Sequence, residues 1–320
     1  MNGRRYRQVF VIGAYVPNGG TRMAYHIARI LDRDFGIPAI AVRVGDETPQ
    51  CDEWAYDLQM PCVSIPEMER RIGPDDILIV NPSFSDFQFG MRLPGFKLCY
   101  VQGFNTFGML DLRFDHYVAI SGFVAGFLRN VFAIEANVIP GFIDVEDSAP
   151  PPWSERTTTV LPYRKGMTGI WNASFDNLKA RLAREAPRIA FSEPLASIGV
   201  PHRQLLEQLG RAQCVLFLSA GEGFGLVPLE AMSMGSLVVG YDGFGGREYM
   251  RSGENCLVAP YPQVERIAEF LIDVARDPHR AQAIAQRGRQ TATAYSYAAF
   301  RERWMEELAR ALGVAPAASR

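Results

Sequence analysis

The sequence predicts an α/β protein of two domains, each built on a parallel sheet. Three observations carry this. A strand, glycine loop, helix and strand follow one another near the start; a second such unit stands in the last third; and a run of prolines separates the two halves. At 320 residues the chain is long for one core and comfortable for two domains of roughly 150 residues each.

The elements read as follows. Val9–Tyr15 (VFVIGAY) is an almost continuously apolar run, as expected of a strand covered on both faces. It ends in the loop Val16-Pro17-Asn18-Gly19-Gly20. Ala24, Ile27, Ala28 and Leu31 then have the spacing of one buried helical face, and Ile37–Val44 reads as a second strand. Further strand-like runs stand at Ile77–Val80, Lys97–Val101, His116–Ile120 and Asn137–Ile139. The segment Ala149–Ser154 (APPPWS) is the clearest break, because three consecutive prolines continue neither a helix nor a central strand. The linker is placed there, giving domains 1–150 and 151–296. The second half restarts with strand-like Thr157–Leu161, a helix over Asn172–Glu185, a short strand at Arg188–Phe191, a helix at Arg203–Gly210 and a strand at Cys214–Leu218. Val264, Ile267, Ala268, Leu271 and Val274 mark a later helix, and Phe300, Trp304, Leu308 and Leu312 mark a last one in segment 297–320.

Composition narrows the function classes. Hydrophobic residues make up 48% and charged residues 21%, ordinary for a globular protein. A net charge of −2 gives no global attraction to nucleic acid. Met1–Gln8 carries three Arg with no long apolar region behind it, which argues against a signal peptide, and no run approaches eighteen apolar residues. The cysteines (Cys51, Cys62, Cys99, Cys214, Cys256) are scattered, odd in number and without Cys-x-x-Cys spacing. The histidines (His26, His116, His202, His279) are isolated, so no metal site is expected. A cytoplasmic location follows from the same features.

Chemistry concentrates in Cys214–Gly246 (CVLFLSAGEGFGLVPLEAMSMGSLVVGYDGFGG). An apolar strand ends at a Gly-rich loop, a helix starts near Leu226 with Pro228 in its first turn, and a second apolar strand, Leu237–Gly240, closes the unit. Ligands of such sheets collect at the carboxyl ends of the strands, where a helix N-terminus suits a pyrophosphate. Gly223 and Gly225 let backbone approach phosphate oxygens closely. Glu222 and Glu230 then flank one pocket. Carboxylates repel phosphate, so they are expected to accept hydrogen bonds from sugar hydroxyls, one facing the transferred sugar and the other the ribose. Taken singly, Glu230 also fits a helix-dipole role and Glu222 a solvated loop.

The string Glu222-Gly-Phe-Gly-Leu-Val-Pro-Leu-Glu230-Ala-Met-Ser-Met-Gly-Ser-Leu-Val-Val239 closely resembles the signature of the retaining glycosyltransferases of family 4 and their GT-B relatives, in which seven residues separate two glutamates. Gly245-Gly246-Arg247-Glu248 sits where that family has a Gly-Gly-x-x-Glu turn, and Ser252–Val258 resembles its following Gly-x-x-Gly-x-Leu-Val segment. Pro17-Asn18-Gly19-Gly20 looks like its first Gly-Gly loop. The resemblance implies the GT-B fold, two Rossmann-like domains with parallel sheets facing an interdomain cleft, and a last helix, 297–320, crossing back to the N-terminal domain. It implies that Glu222 contacts the donor sugar and Glu230 the ribose, with Gly223, Phe224, Gly225, Leu226 and Val227 around the donor and Gly19 and Gly20 on its phosphates. An Arg and a Lys bind the diphosphate in the family; here Arg164 and Lys165 are adjacent, so one of them is expected to reach it. Two fixed cations and a helix terminus would make a metal unnecessary. Base contacts are assigned to Ile198 and Val200 in a segment that looks short for the family. Where many relatives have a sugar-contacting His, this chain has Gln102 and Asn105, amides that bind hydroxyls or cap the strand end.

The expected reaction is transfer of a sugar from a nucleoside diphosphate to a carbohydrate, lipid-linked or other hydroxyl acceptor, with retention and no cofactor. Two alternatives stand beside it: a sugar-nucleotide epimerase on the same fold, and a catalytically silent nucleotide-sugar-binding subunit. Arg4, Arg5, Arg7 and Arg129 with Phe123, Phe127 and Phe132 read either as a peripheral membrane patch or as surface charges over core aromatics.

Overall fold

The structure, a computed structural model, describes residues 5–13, 19–44, 60–144, 150–165, 168–196 and 201–317. The chain divides into two compact units, Met1–Gly141 with Ala298–Arg320, and Phe142–Tyr297.

The first unit runs β1 (Gln8–Gly13), α1 (Gly19–Phe35), β2 (Ala39–Arg43), β3 (Cys62–Ser64), α2 (Ile65–Arg71), β4 (Asp76–Val80), α3 (Phe89–Arg92), β5 (Phe96–Val101), β6 (His116–Ala119), α4 (Gly122–Phe132) and β7 (Asn137–Val138). Its sheet has the order β3-β2-β1-β4-β5-β6-β7, with every pairing parallel. The central strands are buried along their length, which is why β1 and β4 read as continuous apolar runs rather than alternating ones. Serines start two helices: Ser64 Oγ accepts the Glu67 N–H at the head of α2, and Ser121 Oγ accepts the Val124 N–H at the head of α4.

The second unit runs β8 (Thr158–Arg164), α5 (Thr168–Glu185), β9 (Leu195–Ala196), α6 (His202–Arg211), β10 (Ala212–Phe217), α7 (Leu226–Ser233), β11 (Leu237–Tyr241), β12 (Leu257–Ala259), α8 (Val264–Arg276) and α9 (Pro278–Ala292). The order is β12-β11-β10-β8-β9, again parallel throughout. From β8 the chain steps outward to β9, then crosses back to β10 on the other side of β8. The β8/β10 boundary is therefore the switch point of this sheet, the place where a doubly wound fold opens a crevice beyond its strand ends.

Two expectations need correction. The strand read at Arg188–Phe191 is reduced to a single bridge, Phe191 with Val160, after which the edge strand resumes at Leu195. Phe191 is drawn inward against Phe175, ring centroids 5.3 Å apart, and Pro194 has no N–H to continue the ladder. The unit boundary falls at Gly141/Phe142 rather than in the proline segment. Phe142 packs edge-on against Tyr297 at 5.1 Å, and the Ile143 N–H donates to the Tyr295 carbonyl, so the chain is committed to the second unit before it reaches the prolines.

The last helix, α10 (Tyr297–Leu312), belongs to the first unit from Ala298 onward. Trp304 is fully buried and meets Tyr100 edge-on at 5.1 Å, and Arg301 forms a two-pronged ion pair with Asp34. Glu307, only 7% exposed, accepts hydrogen bonds from His116, Asn137 and Arg310. Burial alone would raise this carboxyl; the donors, His116 first, outweigh it and hold the group at about 2.

A depressed carboxyl stabilises the fold above its unfolded-state value and ceases to do so as pH falls toward its folded value. Glu307 is expected to contribute roughly 3 kcal/mol at neutral pH, lost progressively between about pH 4.5 and pH 2. Denaturant melts of wild type and Glu307→Gln across that window check this: the gap between them should close as pH falls.

Candidate active site

The switch point of the second unit brings three chain segments together. β8 ends with Arg164 and Lys165 follows; β10 ends at Phe217 and leads through Ser219 to Glu222; α7 then carries Glu230. Side chains of successive residues on a strand point to opposite sides, and the adjacent cations separate accordingly. The Arg164 guanidinium lies 5.7 Å from the Trp171 ring centroid on α5, whereas Lys165 Nζ donates to Glu222 Oε2 at 3.1 Å. Loss of hydration pulls the Lys165 ammonium down, but Glu222, with smaller contributions from Tyr163 and Glu230, together raises it, and the net direction is upward.

Backbone pairing fixes the loop that holds Glu222. The Glu222 N–H donates to the Gly243 carbonyl at 2.8 Å, and the Gly245 N–H donates back to the Glu222 carbonyl at 3.0 Å. The two loops touch so closely that a Cβ on Gly245 would lie 2.1 Å from the Gly223 carbonyl oxygen. Beyond Glu222, Phe224 is 2% exposed and packs edge-on against Tyr249 at 5.2 Å, so its side chain anchors the loop. Gly225 takes φ +88°, a conformation that glycine adopts without strain, and so turns the chain into α7. The Tyr249 hydroxyl, pushed well above its usual range by burial, donates to the Gly225 carbonyl at 2.5 Å. No side chain caps α7, which leaves the backbone N–H groups at Leu226 and Val227 facing outward from a helix N-terminus.

The two glutamates are held differently. Both oxygens of Glu222 have partners: Ser219 Oγ on Oε1 at 2.9 Å and Lys165 Nζ on Oε2. Glu230 is 5% exposed, and its Oε1 lies 2.8 Å from His202 Nε2, while Oε2 has no partner among the described residues. That oxygen is left to water or to a donor brought by a ligand.

Of the predicted site residues, Glu222, Lys165, Glu230 and the Gly223–Val227 turn converge here. Arg164 turns away toward Trp171. Ile198 and Val200 lie outside the described residues. In the first unit, Gln102 Nε2 donates to the Gly20 carbonyl at 3.0 Å, joining the end of β5 to the Gly19-Gly20 start of α1, and Asn105 is exposed in the following turn. Sequence reasoning missed Ser219, His202 and Tyr249. Ser219, a polar residue at a strand end three before Glu222, was readable; His202 stands 28 residues from its partner and was not. In the basic aromatic patch the rings are half-buried, Phe127 meeting Phe132 at 5.7 Å and Phe123 meeting Phe104 at 5.1 Å, and the exposed Arg7 and Arg129 pair with Asp76 and Glu135. Arg4 lies outside the described residues. No described helix is long and apolar enough to cross a membrane. Among the described residues no group of three or more His, Cys, Asp or Glu is placed to hold a metal ion.

Gly245→Ala should lower stability by about 1–3 kcal/mol, because the added methyl must push the Glu222–Gly223 backbone aside. Gly169→Ala, whose Cβ meets nothing within 4 Å, should be neutral or mildly stabilising. Chemical denaturation of both variants checks the contrast.

Residues 197–291, which include α7 and both glutamates, match the family model of glycosyl transferases group 1. No curated protein sequence matches the chain. Solved structures share its fold at low identity. HepE of Anabaena, crystallised with UDP and glucose, superposes with a TM-score of 0.71 at 13% identity, over 95% of this chain and 100% of its own. A glycosyltransferase of Rickettsia africae gives 0.70 at 13% identity, over 96% and 99%. Sucrose-phosphate synthase of Thermosynechococcus elongatus gives 0.66 at 14% identity, over 96% and 99%. The chain is a glycosyltransferase of the GT-B fold, and its second unit carries the glycosyl transferases group 1 domain.

Proposed function

We propose that this enzyme moves a sugar from a nucleoside-diphosphate sugar to the hydroxyl of a carbohydrate, lipid-linked or other acceptor, with retention at the anomeric carbon and without a metal. The observation that carries this reading is Glu230: a nearly buried carboxylate at a switch point, with one oxygen unpaired beside an uncapped helix N-terminus. Such an oxygen suits a ribose hydroxyl, which donates without bringing charge. The helix N-terminus suits the diphosphate.

Glu222 takes the transferred sugar. Its pairing with Lys165 keeps the carboxylate aimed before donor arrives, and the arriving diphosphate competes for the same ammonium. Lys165 then neutralises charge on the departing diphosphate while Glu222 accepts a hydroxyl of the sugar. The leaving phosphate itself takes the acceptor's proton on the front face, which is consistent with retention. In the first unit, Gln102 and Asn105 are the acceptor-side candidates. The reading is of a cytoplasmic enzyme. The UDP in the HepE crystal makes uracil the first base to test.

The decisive measurement is donor binding and turnover with UDP-, GDP- and ADP-sugars. Glu230→Gln should weaken nucleotide binding by about 1–1.5 kcal/mol, up to roughly tenfold, by replacing a charged acceptor with a neutral amide. Glu222→Gln should lower turnover more than it lowers affinity for the bare nucleotide. EDTA should leave the wild-type rate unchanged, and the product should keep the donor's anomeric configuration by NMR. Epimerisation of donor without acceptor, or binding without transfer to any acceptor, would overturn the reading.

A further inference from the structure

His202 is the first residue of α6, placed there by Pro201, whose extended backbone (φ −55°, ψ 139°) turns the chain into the helix. Its ring is about as buried as the site around it, with the side chain 16% exposed. Nε2 lies 2.8 Å from Glu230 Oε1. A carboxylate only accepts hydrogen bonds, so the proton of this contact sits on Nε2. The carboxylate plane of Glu230 is thereby fixed by a donor on a different helix, and the open oxygen, Oε2, is the one left to face a ligand.

We infer that His202 is a positioning residue for the donor: it holds Glu230 so that Oε2 meets the ribose diol. This rests on the reading of Glu230 given above. Two features separate the role from a packing contact. The bond goes to the oxygen opposite the free one, so it sets an orientation that α7 alone does not. An unheld glutamate on the same helix would also lose side-chain freedom on binding, which is an added cost for each ribose contact. The rigid arrangement removes that cost in advance. Glu222 is served in the same way by Ser219 and Lys165, so each glutamate is oriented by a donor from a separate segment.

The test is a binding cycle by calorimetry with the tightest of UDP, GDP and ADP and with its 2′,3′-dideoxy form. His202→Ala should weaken the ribonucleoside diphosphate roughly tenfold and leave the dideoxy form unchanged, because the effect passes through the ribose hydroxyls. His202→Gln, whose amide Nε2 can reach the same oxygen, should recover most of the loss. At saturating donor, kcat of His202→Ala should stay within about twofold of wild type, while KM for donor rises in step with the binding loss. Equal losses for the two nucleotides, or no recovery with glutamine, would overturn the role of His202 and leave the donor site standing. If wild type binds none of the three diphosphates, the donor-site reading itself falls, and this inference with it.

Discussion

Two hydrogen bonds between loops, Glu222 N–H to Gly243 and Gly245 N–H to Glu222, hold the geometry on which the site depends. They tie the loop after β10 to the loop after β11, and they require glycine at 245 because the two backbones nearly touch. Once that contact is made, the chain has little freedom before α7. Gly225 must turn with a positive φ, Phe224 must point into the aromatic pocket of Tyr249 and Tyr295, and α7 must begin with its N–H groups outward. The direction of α7 in turn places Glu230. One backbone contact thus sets the relative positions of a helix terminus and two carboxylates.

The charges in the site are arranged in an unequal way that has a physical reading. Glu222 is partnered on both oxygens, and one partner, Lys165, is a cation a diphosphate would also attract. Glu230 is more deeply buried and is partnered on one oxygen only. An exchangeable ion pair at the mouth can be rearranged by ligand at little net loss, since one charge-assisted bond replaces another. An oxygen without a partner in the protein is satisfied instead by a donor from outside, water or a ligand hydroxyl. The first carboxylate is suited to a group whose charge changes during reaction, the second to a neutral hydroxyl that is present throughout.

Much of this was legible in sequence, and the limits have identifiable causes. The parallel strands were readable because burial on both faces makes β1, β4, β10 and β11 continuous apolar runs. The Glu222–Glu230 turn was readable because strand, loop and helix are contiguous. α9 was not, since its buried face is built from Ala281, Ala285, Gly288 and Ala292 with a single Ile, too weak an apolar signal to give a period. α7 posed the opposite difficulty: seven of its eight residues are buried, so it has no polar face at all. The proline segment misled because it looks like a spacer, whereas Phe142 and Ile143 had already joined the second unit. Pairing between distant residues, His202 with Glu230 and His116 with Glu307, leaves no trace in local spacing.

The adjacency of Arg164 and Lys165 shows how backbone geometry gives two equivalent charges different surroundings. Nothing in their chemistry prefers the lysine; arginine is the better fork for a phosphate. The strand decides. Arg164 is the last residue of β8 and lies on the side that α5 covers, where Trp171 takes its guanidinium against the ring face. Lys165, one step on, falls on the other side, above the switch point and within reach of Glu222. Moving the pair by one position would exchange their surroundings, giving the arginine to the crevice and the lysine to the tryptophan. The surroundings of each cation are therefore a consequence of register: where pairing stops at Arg164 with Ala196, the next side chain is the one that reaches Glu222.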